Sequence, residues 1–140
     1  MKKAFFLIIL LVLLLTSGCK SSPAINDFSW KMSTIASIEN EQLNVIAVGD
    51  SNYAHPEAEV IDMTLIASDG KIILTDNTNS KTYEGTYFID GKNLRSTSYK
   101  ITIEGEDGYA TVAMTTYLDG SKKPTLPISL GNYTIYFYSD

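Results

Sequence analysis

The sequence is poor in the residues that most often carry chemistry. Its 140 residues include one cysteine, Cys19, one histidine, His55, and one arginine, Arg95. A single cysteine cannot form a disulfide within the chain, so the hydrophobic core alone must hold the fold. One histidine and no further cysteine leave too few ligands for a structural zinc site. Disulfide-stabilised and zinc-centred classes of protein are therefore excluded.

Catalytic motifs are also missing. The chain has no nucleophile elbow, no phosphate-binding P-loop and no dinucleotide-binding glycine motif. A Ser-His-Asp triad would have to use His55, and nothing marks a serine as its partner. Glu104 and Glu106 alternate with strand-forming residues, which is typical of a solvated face or a turn and not of an acid/base pair. We therefore expect a non-enzymatic protein without a cofactor.

Two stretches resemble metal-binding loops only in part. In an extended chain, His55, Glu57 and Glu59 would share one face and could hold a cation, but the proline and polar residues around them favour an exposed loop. Residues 76–80 (DNTNS) begin like a calcium loop, yet the glycine and the final glutamate that such a loop needs are replaced. We expect no metal site at either place.

Positive charge is scarce beyond the first three residues. Without Lys2 and Lys3, the chain has nine basic and sixteen acidic residues, a net charge of −7. Nucleic-acid binding needs a basic face that displaces counterions, so we expect no nucleic-acid partner. The same surplus argues against attraction to anionic lipid headgroups and is typical of a soluble exported domain.

The only long apolar stretch lies at the amino terminus. Lys2 and Lys3 precede an unbroken apolar run over residues 4–15, which is too short to span about 30 Å of hydrocarbon. A basic start, a short apolar run and the small residues at 16–18 are typical of a secretory signal peptide.

The segment LLLTSGC, which ends at Cys19, resembles the lipobox of bacterial lipoproteins. This resemblance implies that the signal peptide, residues 1–18, is removed and that Cys19 is linked by a thioether to diacylglycerol. Two or more acyl chains hold a protein stably on a membrane, because each buried CH₂ contributes about 0.8 kcal/mol. We expect a protein that is lipid-anchored at an extracytoplasmic membrane or outer envelope face, with residues 19–27 as a lipidated linker.

The rest of the chain has no long helical periodicity and many strand-forming residues. Apolar and polar residues alternate along several segments, which indicates half-buried antiparallel strands. Four Asp-Gly pairs separate these segments as hairpin turns do: Asp69-Gly70, Asp90-Gly91, Asp107-Gly108 and Asp119-Gly120. The predicted strands are 30–38, 43–49, 59–68, 71–75, 82–89, 98–104, 109–118 and 133–139. Residues 121–132, which contain two prolines, are predicted as a loop.

Eight strands joined mostly in sequence order form a meander, which exposes two sheet edges unless it closes. We therefore predict an all-β, eight-stranded antiparallel barrel over residues 28–140, with a β-sandwich as the alternative. An eight-stranded barrel has room inside for side chains alone or for one small ligand. The candidates for lining this barrel or closing its end are Trp30, Tyr83, Tyr87, Tyr99, Ile101 and Tyr133.

The pattern resembles that of the calycins, the lipocalin-like group. Trp30 begins the first predicted strand, as does the tryptophan that closes one end of a lipocalin barrel, although Phe28 stands where lipocalins have glycine. The chain then passes through Asp-Gly hairpins to the closing segment LGNYTIYFYS. In this it is similar to lipocalin-like lipoproteins of Gram-positive bacteria, of the YxeF type. The resemblance implies a barrel that binds a small, partly apolar ligand.

Two other functions stay open. Lipid-anchored barrels that inhibit lysozyme have a loop rich in serine and tyrosine, and STSYK at 96–100 is similar to it. This similarity favours a protein-interaction module or inhibitor that acts on an envelope protein, and an envelope protein without a ligand is the third hypothesis. A cavity inside the barrel would favour the small ligand, whereas a filled interior with exposed aromatic and acidic residues would favour a protein partner.

Overall fold

Strands account for most of the chain in the computed structural model, which describes residues 21–39, 42–51, 55 and 57–140. A short 3₁₀ turn, η1 (Ile25–Asp27), precedes them. The strands are β1 (Trp30–Glu39), β2 (Gln42–Val48), β3 (Glu59–Val60), β4 (Met63–Ser68), β5 (Lys71–Asp76), β6 (Lys81–Lys92), β7 (Ser96–Ile103), β8 (Glu106–Thr116), β9 (Lys122–Leu130) and β10 (Tyr133–Tyr138).

Eight of these strands close into an antiparallel barrel. The strands β4 to β10 pair in sequence order, and β1 joins the two ends of that row. One edge of β1 pairs with β10 over residues 31–37, and the other edge pairs with β4 at Trp30 and Lys31. Closure pairs the two edges that an open row of strands would expose. The predicted all-β, eight-stranded antiparallel barrel is confirmed.

The second predicted strand is not part of this barrel. One edge of β1 has two partners: its first residues, Trp30 and Lys31, pair with β4, and the part from Thr34 onward pairs with β2. β3 pairs in parallel with the other side of β2. We call β2, β3 and the part of β1 that pairs with β2 the outer hairpin, because it lies outside the closed ring of strands. The prediction that 43–49 is a barrel strand is therefore wrong, and the predicted strand 59–68 is divided into β3 and β4.

The eighth barrel strand comes from residues 121–132, for which the prediction of a loop is wrong. β9 pairs with β8 on one side and with β10 on the other. Its pairing with β8 skips Pro127, which has no N–H to donate, and then resumes in the same register. Leu126 and Ile128 point into the core, so the strand alternation is present although the prolines obscured it.

Two of the four Asp-Gly pairs form hairpin connections. Asp69-Gly70 makes the β4–β5 turn with φ angles of 50° and 77°, and Asp119-Gly120 lies between β8 and β9. The other two pairs lie within strands, Asp90-Gly91 at a register shift in β6 and Asp107-Gly108 in β8. The β7–β8 turn is instead Glu104-Gly105, with φ angles of 50° and 83°. Positive φ at both positions is what a tight hairpin turn requires.

Side chains from the barrel strands and from η1 meet in one core. It consists of Ile25, Trp30, Met32, Met63, Leu65, Ala67, Ile72, Leu74, Tyr99, Ile101, Ile103, Ala110, Val112, Leu126, Ile128 and Phe137. Most of these residues are bulky and almost fully buried, as in an eight-stranded barrel whose side chains fill its interior.

The connections between strands define the two ends of the barrel. The N-terminal end holds η1 and the β4–β5, β6–β7 and β8–β9 connections, and the chain finishes there after β10. The distal end holds the β5–β6, β7–β8 and β9–β10 turns.

Candidate functional site

The segment before β1 closes the N-terminal end of the barrel. Ile25 is fully buried, and its backbone N–H donates to the Tyr99 hydroxyl at 3.0 Å. The indole N–H of Trp30 donates to the carbonyl of Ile25 at 2.8 Å. The ring of Phe28 packs edge-on against Trp30, with ring centroids 5.2 Å apart. The polar atoms of both buried aromatic side chains thus find partners, as burial requires.

The buried hydroxyl of Tyr99 is a fixed neutral group. Burial, the largest effect, raises the pKa of Tyr99 above its ordinary value of 10.0, while the N–H of Ile25 lowers the pKa in part. The hydroxyl therefore stays protonated at neutral pH and serves as a structural hydrogen-bonding group.

Part of the predicted linker, 19–27, belongs to the barrel. Ser22 is buried and accepts a hydrogen bond from the hydroxyl of Thr97 at 3.2 Å. The chain therefore enters the fold at Ser22. The predicted lipid attachment residue, Cys19, lies outside the described residues.

The six candidate lining residues differ in how deeply the structure buries them. Trp30, Tyr99 and Ile101 are buried in the core. Tyr83 and Tyr87 are partly buried and pack against that core, and the Tyr87 and Tyr99 rings meet edge-on. Tyr133 is 46 % exposed at the distal end and does not join the core.

Packed side chains occupy the interior of the barrel in the described part of the chain. Five concavities of the described residues open to solvent; Ile101 borders one of them, and Trp30, Tyr99 and Leu126 line none of the five. Within the described part of the chain, no buried side-chain nitrogen or oxygen lacks a hydrogen-bond partner. A small molecule in this interior would have to displace packed side chains.

The outer hairpin presents an open strand edge. The side of β2 away from β1 pairs with β3 only at Ala47 and Val48, so residues 42–46 have no strand partner there among the residues described. A cleft of about 430 Å³ runs along this edge between Leu43 and Val45 of β2 and the segment that contains His55. An exposed edge is a template for pairing with another extended chain.

A second cleft adjoins β2 on the outer wall of the barrel. It measures about 420 Å³, and its wall carries Tyr117, Tyr136 and Tyr138 opposite Leu43 and Val45. We call this cleft the tyrosine trough. Tyr136 and Tyr138 of β10 point outward because they alternate with the buried Phe137. Alternation along β10 accounts for this direction, and the fold of β2 brings Leu43 and Val45 to the same cleft as these rings.

The charged groups at the end of the trough form a small network. The Lys123 ammonium donates to the Asp140 carboxylate at 2.6 Å and lies 5.8 Å from the centroid of the Tyr138 ring. This hydrogen bond lowers the pKa of Asp140 and raises that of Lys123. Nearby, the Ser121 N–H donates to Asp119 at 2.9 Å, and hydrogen bonding from Ser121 lowers the pKa of Asp119. All these groups are solvent-accessible and stay charged near neutral pH.

The stretches that resembled metal loops have other places in the fold. Among the described residues, no three His, Cys, Asp or Glu side chains lie close enough together to hold a metal ion. His55 and Glu57 line the cleft beside β2. The stretch 76–80 is the β5–β6 turn, in which Asp76 accepts two hydrogen bonds from Asn79.

The serine and tyrosine stretch at 96–100 is not a loop. It lies in β7, and both Thr97 and Tyr99 are buried. These two side chains point into the barrel, so they cannot contact a protein on its surface. The similarity to the loop of the lysozyme inhibitors therefore has no counterpart in the fold.

Comparison of the chain with family models, curated proteins and solved structures finds no match. In the described part of the chain, no helix is both long and apolar enough to cross a bilayer.

Proposed function

We propose that the protein is a non-enzymatic lipoprotein, anchored through Cys19 at an extracytoplasmic membrane face, that binds an extended segment of an envelope protein along β2. The observation that carries this proposal is the open edge of the outer hairpin. Barrel closure pairs β1 with both β10 and β4, whereas part of β2 in the outer hairpin has no strand partner on its far side among the described residues. Strand addition at such an edge is a common mode of peptide recognition.

The side chains beside this edge suit a protein partner. Leu43 is 62 % exposed, and Ile38, Ile46 and Val60 of the same hairpin are also exposed apolar residues. Exposed apolar residues clustered on one element are typical of an interaction surface. The tyrosine trough lies alongside, and tyrosine is among the residues that most often anchor protein interfaces.

The charge of the hairpin favours a basic partner. Residues 36–60 include five acidic residues and no lysine or arginine: Glu39, Glu41, Asp50, Glu57 and Glu59. Complementary charge raises the rate of association and selects among partners. We therefore propose a partner segment in which apolar residues alternate with basic ones.

The alternative is the small, partly apolar ligand inside the barrel that the lipocalin resemblance implies. Such a ligand would have to displace side chains that are buried and closely packed. Native mass spectrometry of the protein purified from its host tests this alternative directly. A bound small molecule at constant stoichiometry would favour ligand binding over the protein-interaction proposal.

Site-specific photo-crosslinking in host membranes tests the proposed partner site. A photoreactive residue at Leu43 is expected to form an adduct of one defined mass with a host protein. The matched control is Ile66 of β4, which is 59 % exposed and lines neither of the two clefts beside β2. Equal adducts at both positions, or no protein adduct at Leu43, would contradict the proposal.

Replacing Leu43 with glutamate provides a second arm of this test. An exposed side chain contributes little to folding, so the free energy of unfolding is expected to change by less than about 0.5 kcal/mol. With the photoreactive residue at the neighbouring Val45, the Leu43→Glu substitution is expected to abolish the adduct. Ile66→Glu serves as the control and is expected to leave the adduct intact.

A further inference from the structure

The N-terminal end of the barrel lies close to the chain's lipid. This step rests on the anchor at Cys19, which belongs to the proposed function. Ser22 is buried and held by Thr97, and Cys19 precedes Ser22 by three residues. Three residues of fully extended chain span at most about 10 Å. The N-terminal end therefore stays within about 10 Å of the lipid attachment point.

An amphiphilic cleft opens at this end. It measures about 510 Å³, and Ser21 and Pro23 of the entering chain form one of its sides. Leu94 and Met114 supply its apolar surface, and Leu94 is 91 % exposed on the β6–β7 connection. We call this feature the mouth cleft.

Two cations line the mouth cleft without an acidic partner among the described residues. They are Arg95, on the β6–β7 connection, and Lys122, at the start of β9. Neither forms an ion pair among the described residues, where the ion pairs are Lys100–Asp90 and Lys123–Asp140. Unpaired cations beside exposed apolar side chains match a molecule with a negative head and an apolar body.

Charge is divided between the two ends of the barrel. The cations at or next to the N-terminal end are Lys31, Lys71, Lys92, Arg95, Lys122 and Lys123, and the carboxylates there are Asp27, Asp69, Asp90, Asp119 and Asp140. The carboxylates at or next to the distal end are Glu39, Asp62, Asp76, Glu84, Glu104, Glu106 and Asp107, and Lys81 is the cation among them. The net charge of −7 is therefore concentrated away from the N-terminal end. An anionic membrane surface therefore repels the distal end, whereas it does not repel the N-terminal end, where cations slightly outnumber carboxylates.

We propose that the N-terminal end rests on the bilayer and that the mouth cleft binds the headgroup of an anionic phospholipid from that bilayer. Arg95 and Lys122 pair with the phosphate, and Leu94 and Met114 contact the glycerol and the first acyl carbons. The distal end and the edge of β2 then face away from the membrane. The overall negative charge predicted no such attraction, because a net charge does not record how charge is divided between two ends.

Fluorescence quenching in vesicles tests the orientation. The lipidated full protein is reconstituted in phosphatidylcholine vesicles, with or without phosphatidylglycerol, that contain a lipid with a nitroxide on its headgroup. Because the sulfur of Cys19 is blocked by lipid, Leu94→Cys provides one free thiol for a fluorophore, and Asn132→Cys provides the control in the β9–β10 turn. Quenching is expected to be several-fold stronger at position 94, and phosphatidylglycerol is expected to increase it further.

Charge reversal tests the headgroup site. Native mass spectrometry of the protein released from mixed lipid nanodiscs is expected to show phosphatidylglycerol retained in preference to phosphatidylcholine. The double substitution Arg95→Glu and Lys122→Glu is expected to reduce this retention by about 10-fold or more. Lys81→Glu, at the distal end, is the control and is expected to leave retention unchanged.

The orientation, the headgroup site and the anchor are each contradicted by a different result. Equal quenching at positions 94 and 132 would overturn the orientation. Equal retention of the two lipids, or retention unaffected by the double substitution, would overturn the headgroup site. If the protein did not float with vesicles at all, the anchor of the proposed function would fail and the orientation with it. Crosslinking at Leu43 is scored separately, so loss of the partner site is not confused with either result.

Discussion

At the scale of single residues, Asp76 is a buried charge at the last position of β5. Its carboxylate accepts the backbone N–H and the side-chain amide of Asn79 at 2.9 Å and 2.8 Å. These bonds, the side-chain amide first, hold the pKa of Asp76 below its ordinary value of 3.8 despite burial, and Lys81 acts in the same direction. A calcium loop would need glycine at position 81, where the chain has lysine. The stretch also lies between two predicted strands, 71–75 and 82–89, as a turn does.

Replacing Asp76 with asparagine is expected to lower the free energy of unfolding by about 1 kcal/mol at pH 7, because the charged acceptor is lost. A carboxylate whose pKa is lowered by folding stabilises the protein above its unfolded pKa and loses that effect as pH falls through the folded value. The difference between wild type and variant is therefore expected to shrink below about pH 4.

Urea unfolding at pH 7 and pH 3 measures this difference. Asp69→Asn is the control, because the Asp69 side chain is exposed in the β4–β5 turn and accepts only the hydroxyl of Ser68 among the described residues. An unchanged difference between the two pH values would show that the Asp76 charge does not stabilise the turn.

At the scale of elements, β8 and β9 approach each other closely at Gly108. A Cβ on Gly108 would lie 2.2 Å from the carbonyl oxygen of Ser129, closer than any real contact. Gly91, by contrast, has no atom within 4 Å of such a Cβ. Both glycines belong to Asp-Gly pairs, so the turn chemistry of the sequence did not distinguish them. The neighbouring strand does, because close approach requires glycine whether or not a turn is present.

Gly108→Ala is therefore expected to lower the free energy of unfolding by about 1–3 kcal/mol, since the added methyl group must push β9 away. Gly91→Ala, the matched control, is expected to change stability by less than about 0.5 kcal/mol. Thermal unfolding followed by far-ultraviolet circular dichroism compares the two variants. Equal stability of both would contradict the close approach of β8 and β9.

At the scale of the whole molecule, the surfaces of both proposals lie outside a barrel whose interior is occupied by side chains. The edge of β2 and the tyrosine trough lie on the outer wall, and the mouth cleft lies where the chain enters the fold. The proposals for partner and membrane therefore use different surfaces of one barrel. The proposed lipid anchor at Cys19 is common to both proposals.

Replacing Cys19 with alanine is expected to prevent lipid attachment and to release the protein from membranes. Metabolic labelling of the host with an alkyne-bearing palmitate analogue, followed by fractionation, measures both effects. Asn132→Ala, at the exposed β9–β10 turn of the distal end, keeps the cysteine and is expected to be labelled and membrane-bound like the wild type. Membrane retention of an unlabelled Cys19→Ala protein would contradict the proposed anchor.

Period-two alternation was enough to predict an antiparallel barrel and the faces of its strands. It placed Tyr99 and Ile101 on one face, which the structure buries, whereas Trp30 was expected at a barrel end from the lipocalin resemblance and is also buried. It also placed Tyr136 and Tyr138 opposite Phe137, on the outer face. Alternation is a local property that follows from the pleat of a strand, so it can be read without knowing which strands are neighbours.

Tertiary structure alone decided which strands close the ring. One edge of β1 pairs with β4 and then with β2, so β2 lies outside the barrel. β9 is a barrel strand, although its prolines hid the strand pattern in the sequence. It also decided that Ser22 and Ile25 close one end, and that the edge of β2 lies beside the outward tyrosines. These features depend on contacts between residues far apart in sequence, which strand alternation does not encode. The sequence by itself determined the kind of sheet and the predicted anchor, whereas long-range pairing decided where its surfaces lie.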